Sequence, residues 1–423
     1  MKRDVTIWVE RVAITVSLVF LALTNVSHAA DRRDISACRR ALTVEEFRAV
    51  AFEKSPLVAE IDSEYVRQAA QAFEVEVLGN PEIQAEQVYT SMRIGGADDP
   101  QTNASIGQPL RLSNFGSRGR VAALLRKSGD TQKRAKLLEL TQKLALQFYT
   151  LYMLQRTEAL ITQAEQRAAR QAALIHEGVT KGLLSQGEHK LFEGEKYRLQ
   201  SQIKGVQASH HMLQAEISKS LGLACLVEAK GDPLVGVIPT EEVLVAKARE
   251  SDLSELSRVD LLEALSAEQV KLAQLDAFPS VTPRLVYQHT NDGGDFVGVG
   301  IAMPLPLFNR NQSATMRSQA DQISARRRRD FLNQGGLEEQ VRALRSAAVS
   351  ASEQAELYSK RVVPAFEEAL RSQERLYTQG KGSVLQVWQT LRTCNDAQRE
   401  SLAVWLNAAV SRMQLSLLVG EEV

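Results

Sequence analysis

Landmarks recur along this chain at a nearly constant spacing, and that self-similarity constrains the fold more than any other feature. Glu53-Lys54-Ser55-Pro56-Leu57 returns loosely as Arg249-Glu250-Ser251-Asp252-Leu253, and Pro81 returns as Pro279. Val88-Tyr89 matches Val286-Tyr287, Gln108-Pro109-Leu110 answers Met303-Pro304-Leu305, Gly178 answers Gly380, and Leu221-Gly222 answers Val419-Gly420. The offsets are 196, 198, 198, 195, 202 and 198 residues, so one supersecondary unit is used twice. The reading divides the 423 residues into a leader at 1–30, a first repeat at 31–222, a breaker-rich linker at 223–240 and a second repeat at 241–423.

Within each unit the order is helix, two short strands, then two very long helices. Thr43-Val44-Glu45-Glu46 is a capping box that opens the first helix, because the Thr hydroxyl accepts from an orphan N–H while Glu46 reaches back. From Gly116 to Glu177 almost nothing breaks a helix, which predicts some 50 helical residues, roughly 75 Å of helix at about 1.5 Å per residue. Leu137, Leu140, Leu144, Phe148, Leu151 and Leu154 form its apolar stripe. In the second copy Val341, Leu344, Ala348, Ala351, Ala355, Tyr358, Val362, Ala365 and Ala369 alternate three and four, a coiled-coil seam whose alanines permit close approach. Each long helix is expected to reverse at Gly178 or Gly380 and return as an antiparallel hairpin.

The strands alternate. Val297, Val299, Ile301 and Met303 point one way, with small residues between them, and Val281, Leu285 and Tyr287 alternate with Thr282, Arg284 and Gln288. Asn291-Asp292-Gly293-Gly294-Asp295 supplies turn chemistry between them. In the first copy Ile83, Ala85 and Tyr89 alternate with Glu82, Gln84 and Glu86, Ala104 and Ile106 alternate with Asn103 and Ser105, and the turn falls in Gly95 to Pro100. The strand regions lie at about 82–112 and about 281–305, the helical hairpins at about 117–222 and about 313–420. The strands have roughly the nine to eleven residues that cross an outer membrane at a tilt. Four cannot close a barrel, but several chains giving four each could, with apolar faces to lipid and polar faces to a wet lumen.

Lys2, Arg3 and Arg11 precede the apolar run Val12–Leu23, which ends in Ser27-His28-Ala29, the pattern of a cleaved secretory signal peptide. The run has 12 residues, too few to span a bilayer, and no later uninterrupted apolar stretch approaches that length. The expected mature protein is exported without a transmembrane helix. Ile35-Ser36-Ala37-Cys38 has the small residues of a lipoprotein processing site, a minority reading, because Asp31, Arg32, Arg33 and Asp34 separate it from the apolar run. The main expectation for Cys38 is a free thiol, since cysteines at 38, 225 and 394 are too few and too dispersed for a disulfide scaffold or a Cys-rich zinc site.

Lys plus Arg and Asp plus Glu both number 51, so the chain has no basic field for nucleic acid. Gly-x-Ser-x-Gly, a phosphate loop and His-Glu-x-x-His are absent, and Gly380-Lys381-Gly382-Ser383 has the wrong spacing for a Walker loop. The expectation is no enzyme and no cofactor. His210 and His211 point about 100° apart on a helix, and His176, His189 and His289 are scattered in sequence, so metal binding by the chain is not expected. Arg326 to Arg329 spread around a helix axis as a solvated face.

The mature chain resembles the TolC family of trimeric outer-membrane efflux ducts along essentially its whole length. The resemblance rests on Leu42-Thr43-Val44-Glu45-Glu46, on the duplicated helix, hairpin and helix-pair order, and on the turns around Gly178 and Tyr377-Thr378-Gln379-Gly380. Pro304-Leu305-Pro306-Leu307-Phe308-Asn309-Arg310-Asn311-Gln312 resembles the strand-to-helix corner of the heavy-metal branch, the cobalt-zinc-cadmium resistance type. Pro109-Leu110-Arg111-Leu112-Ser113-Asn114-Phe115 departs from it, with one proline and no Asn-Arg pair.

The resemblance implies a mainly α fold with a small β part, and a homotrimer whose twelve strands form one outer-membrane barrel above a periplasmic helical tunnel. It implies a periplasmic adaptor and an inner-membrane pump of the proton-driven heavy-metal cation (RND) type as partners. Gly178, Thr180, Lys181, Gly182 and Leu183, with Gly380, Lys381, Gly382, Ser383 and Val384, stand at the adaptor-contact tips, and Pro109, Pro304, Pro306, Asn309 and Arg310 stand at the barrel corners. The alternatives are a periplasmic coiled-coil adaptor or structural protein, and a duct of this type for drugs or other small molecules.

Overall fold

The structure, a computed structural model, describes residues 38–89, 100–231, 237–290 and 293–420. The leader, the turn at 95–100, most of 232–240 and the first residues of the 291–295 turn lie wholly or partly outside the described residues. The first repeat runs β1 (Arg39–Leu42), α1 (Val44–Lys54), α2 (Pro56–Glu76), β2 (Glu82–Tyr89), β3 (Pro100–Gly107), α3 (Ser117–Thr180) and α4 (Gln186–Leu221). After β4 (Leu226–Ala229) the second repeat runs α5 (Glu241–Glu250), α6 (Glu255–Leu275), β5 (Thr282–His289), β6 (Asp295–Ala302), a segmented helix, and α10 (Val384–Val419). The segments are α7 (Gln312–Phe331), α8 (Leu337–Leu357) and α9 (Val363–Thr378).

Local chemistry sets these boundaries. The expected capping box is present: Thr43 Oγ1 accepts from Glu46 N at 3.3 Å, and Thr43 N donates to the Glu46 carboxylate at 2.9 Å. Ser55 ends α1 and caps α2, whose first residue is Pro56, where a missing N–H costs nothing. Ser185 with Glu188 forms a second capping box at the start of α4. Both return helices stop at left-handed glycines, Gly222 and Gly420, and Cβ atoms there would sit 2.5 Å from the backbone of Lys54 and of Leu253, so each repeat needs its glycine for close packing as well.

The helix α3 is unbroken over 64 residues, longer than the sequence expectation and about 96 Å at 1.5 Å per residue. Its counterpart in the second repeat, Gln312 to Thr378, is 67 residues and is interrupted twice. At Leu332–Gly336 the helix kinks, with Gly335 at φ 98°. At Tyr358–Val362 it makes a π turn in which Val363 N–H reaches back to Tyr358 O. Pro364 follows directly; it has no N–H to give and its ring clashes with the carbonyl four residues earlier, so the widened turn accommodates it.

That turn corrects the expected seam. Val341, Ala348 and Ala351 are buried as expected, but the extra residue in the π turn advances the phase by one. Phe366 and Leu370 therefore pack into the core, and Ala365 and Ala369 face outward.

The core is a series of patches between helices. One gathers Phe47, Leu144, Phe148, Leu151, Ile217 and Leu221, with Phe47 and Phe148 edge to face at 5.6 Å. Its second-repeat counterpart gathers Leu244, Leu332, Leu337, Val341, Leu415 and Val419. A third joins both hairpins near their tips through Ile161, Phe192, Leu199, Leu370, Val387 and Leu391. Among the described residues one helix, α10, meets the length and mean hydropathy of a membrane span, but polar residues interrupt it, and its Leu391, Ala408, Met413 and Leu415 are buried among the other helices.

The linker is not wholly irregular. β4 pairs in parallel with β1, Arg39 opposite Leu226, and buries Leu42 and Val227 against the first core patch. That register places the residues just before the two strands together, and Cys38 and Cys225 are joined as a disulfide with Cα atoms 4.8 Å apart. Both earlier readings of Cys38, a free thiol and an acylated cysteine, are thereby corrected. Sequence distance, 187 residues, misled, because only the strand pairing brings the two thiols within reach. Cys394 is free and buried.

A disulfide closing so long a loop restricts the unfolded chain strongly. Replacing Cys38 and Cys225 with Ser is expected to lower stability by about 2–4 kcal/mol, read as a lower denaturant midpoint that reductant no longer shifts. An unchanged midpoint would mean that the β1–β4 pairing holds this region without the bond.

Candidate membrane sheet and docking tips

The two β-hairpins, one from each repeat, combine into a single four-stranded antiparallel sheet in the order β2-β3-β5-β6. The join is the β3–β5 ladder, from Thr102 opposite His289 to Gly107 opposite Arg284. Each strand has eight residues, slightly fewer than expected, and the ladder is extended by a bridge between Leu110 and Val281. Among the described residues no helix packs on either face of this sheet.

The register sorts side chains onto two faces. Ile83, Ala85, Ile106, Ala104, Leu285, Tyr287, Val299 and Val297 stand opposite one another on one face. Val299 is 90% exposed and Ile301 is 77% exposed, an apolar surface with no cover within the chain. The other face carries Glu82, Gln84, Glu86, Asn103, Ser105, Thr282, Arg284 and Gln288, with Val88, Val286 and Phe296 as its apolar exceptions. Arg284 reaches across β3 to donate to Gln84 Oε1 at 2.8 Å and lies 3.6 Å from the Glu82 carboxylate. Gly107 makes that crossing possible, because a Cβ there would sit 2.7 Å from Arg284 Cγ.

Below the sheet the chain turns into the long helices at two corners. In the second repeat Asn311 is the only non-glycine with positive φ among the described residues, 59°, and it starts α7. Its Nδ2 donates to Ala273 O at 2.9 Å, and its own N–H is accepted by Asn309 Oδ1 at 3.0 Å. Arg310 contributes its N–H to Gln312 Oε1 at 2.9 Å, whereas Pro304 and Pro306 interrupt the strand. Asn309 and Arg310 were singled out from the sequence, but the pivot is Asn311; the signal was its residue type, since asparagine tolerates the left-handed region best among non-glycines.

In the first repeat the pivot is Gly116, φ 88°, at the same offset of 195 residues. The stretch after Pro109 is held differently: Asn114 Nδ2 donates to the Asp276 carboxylate, Arg118 pairs with that carboxylate at 3.3 Å, and Ser113 Oγ donates to Leu275 O at 3.1 Å. Both corners thus fasten to the C-terminal turns of α6. Around them Phe115 and Phe308 are 83% and 93% exposed.

At the opposite end are the hairpin tips. The reversing residues are Gly182, φ 70°, and Gly380, φ 73°, exactly one repeat apart at 198 residues, so Gly178 is not the partner of Gly380. The turns are bonded identically: Leu183 N–H to Gly178 O at 2.8 Å and Gly182 N–H to Val179 O at 3.0 Å, against Lys381 N–H to Leu376 O and Gly380 N–H to Tyr377 O, both at 2.9 Å. Gly178 lies within α3, where a Cβ would strike Leu184, and Gly382 lacks room for one beside the Tyr377 backbone. Thr180 Oγ1 folds back onto Glu177 O, and Ser383 Oγ caps α10 through Leu385 N.

Lys181, Gly182, Leu183, Gly380 and Lys381 are exposed. Val384 is 3% exposed, packed into the core with Val387 and Leu391, and is corrected from a contact residue to a core residue. Tyr377 in the second tip has its phenol pushed above its ordinary value by burial, and the Glu188 carboxylate of the first tip adds to the shift. The tips are neighbours, since Val179 and Leu184 of the first share one core patch with Tyr377 and Val384 of the second. His176 and His189, scattered in sequence, meet across the first tip with ring centres 5.0 Å apart. His210 instead faces Glu158 at 3.3 Å.

No family model and no curated protein sequence matches this chain. Solved structures do. The outer membrane protein VceC from Vibrio cholerae superposes with a TM-score of 0.69 at 15% identity over 89% of this chain and 96% of its own. CusC, described for transmembrane channel formation, gives 0.71 at 14% over 94% and 96%. The Campylobacter jejuni outer membrane channel CmeC gives 0.72 at 10% over 89% and 85%. At these identities the likeness establishes the fold: a mainly helical chain with a small β part, built as these proteins are.

The two faces predict opposite tolerances. If the apolar face meets lipid, Val299→Arg is expected to cost about 2–4 kcal/mol at mid-depth and to block membrane insertion, whereas Gln288→Arg, on the polar face, leaves insertion intact. Fractionation of the two variants checks this, and equal insertion would overturn the assignment of faces.

Proposed function

We propose that this chain is the outer-membrane duct of a tripartite exporter, a passive conduit from periplasm to exterior that performs no chemistry. The observation that carries the reading is the sheet: among the described residues it is apolar on one face, polar on the other, uncovered by helices, and unpaired along both β2 and β6. In lipid every backbone donor and acceptor needs a partner within the protein, so such a sheet is complete only when its edges close on other copies. An even number of alternating strands makes β6 of one copy antiparallel to β2 of the next, and three copies give a closed ring of twelve. The Glu82, Gln84, Ser105, Arg284 and Gln288 face then lines a wet lumen, and the helical hairpins continue it into the periplasm.

Two independent features support that location. The likeness in fold is to proteins described as outer-membrane proteins and channels. The Cys38–Cys225 disulfide suits an oxidising compartment, as the leader at 1–30 also implies. A periplasmic coiled-coil adaptor or structural protein has no use for a sheet whose apolar face lacks cover.

The exposed tips are read as the surface that meets a periplasmic adaptor linked to an inner-membrane pump. The proposed cargo is a heavy-metal cation carried by a proton-driven pump of the RND type, and it rests on the corner Pro304–Gln312. Metal ions here are cargo, not cofactors.

Detergent-solubilised protein from the outer-membrane fraction is expected to size as three copies; a soluble periplasmic monomer would sink the duct reading. Deleting the gene is expected to raise sensitivity to cobalt, zinc and cadmium with drug tolerance unchanged, and the reverse pattern would reassign the cargo. Lys381 is exposed and not strained, so Lys381→Glu tests docking without distorting the turn. It is expected to reduce export several-fold while the trimer persists; full export would remove that tip from the adaptor contact.

A further inference from the structure

His176 lies on the last turns of α3 and His189 on the first turn of α4, at matching heights on either side of the Gly182 turn. Their ring centres are 5.0 Å apart and their planes are tilted by 48°, so the rings are not stacked. Two imidazoles that share one tetrahedral ion at the usual metal–nitrogen distance of about 2.0–2.1 Å have ring centres about 5 Å apart. His176 is exposed and His189 half-buried, so water and ions reach both.

We propose that His176 and His189 form a site for a divalent transition-metal ion of the zinc class, bridging the two helices of the first hairpin at its tip. Imidazole suits zinc, copper and nickel over the hard cations. Among the described residues no group of three or more ligating side chains gathers anywhere, so the protein supplies two nitrogens and leaves the other positions to water or to exchangeable ligands. That composition marks an exchanging site, not a closed structural one.

Glu193, one turn beyond His189 on α4, is engaged by Lys190 and is not a third ligand. Bridging locks α3 to α4 beside the exposed Lys181–Leu183 turn, so ion occupancy stiffens the tip. The site depends on the geometry of one hairpin and not on the duct reading.

The test uses the full-length protein in detergent, titrated with Co²⁺ as a spectroscopic probe and then with Zn²⁺ by calorimetry. Wild type is expected to take up one ion per chain, with imidazole-ligated Co²⁺ bands that Zn²⁺ displaces. His176→Ala and His189→Ala are each expected to weaken Zn²⁺ binding at least tenfold, while His289→Ala leaves it unchanged. Circular dichroism checks the fold of each variant, and both side chains reach the surface, so folding is preserved. Absence of binding by wild type at millimolar Zn²⁺, or wild-type binding by either His176→Ala or His189→Ala, overturns the shared site. Oligomeric size measured on the same samples tests the duct reading separately, so either proposal can fail alone.

Discussion

The joining of the two repeats depends on one short ladder, the pairing of β3 with β5. A lone two-stranded hairpin is marginal in water and leaves too many free backbone groups for lipid. By pairing Thr102–Gly107 with Arg284–His289, the chain converts two hairpins from separate repeats into one sheet with a single apolar face. The same ladder fixes where the helices begin, because the corners at Gly116 and Asn311 follow directly from the strand ends and fasten to α6. A register slip of one residue at this join would set the apolar side chains of one hairpin beside the polar side chains of the other.

Duplication gives the two halves matching ends and different middles. The return helices, the left-handed glycines and the hairpin turns coincide at 198 residues, whereas the strands and the helix starts coincide at 195–200. The surplus length of the second descending helix is absorbed at the Gly335 kink and at the π turn before Pro364. One copy is thus a straight rod and the other a jointed one. Packed side by side near the tips, around Ile161, Phe192, Leu370 and Leu391, they cannot move as equivalents.

Periodicity made much of this legible in advance. Strand alternation gave both faces of the sheet correctly, since a period of two depends only on backbone pleat. Capping chemistry gave Thr43, and left-handed glycine gave Gly380. What escaped depends on contacts distant in sequence or on backbone choices that no simple pattern encodes. The Cys38–Cys225 bond needed the β1–β4 pairing, and the His176–His189 approach needed the exact turn. The seam past Tyr358 was read one residue out of phase because a π turn leaves no periodic signature, although Pro364 was its visible cause. Val384 stands among the expected contact residues because it adjoins Gly382 and Ser383, yet it already belongs to the core.

The bond between Cys38 and Cys225 has a mechanical side. It encloses the whole first repeat, hairpin and both strands, in a covalent ring. A pull applied to the N-terminal end therefore passes through sulfur directly into the connection between the repeats and bypasses the long rod of α3 altogether. A single backbone cut anywhere inside that ring leaves both pieces tethered. The first half is thereby held as a closed link instead of an open strap.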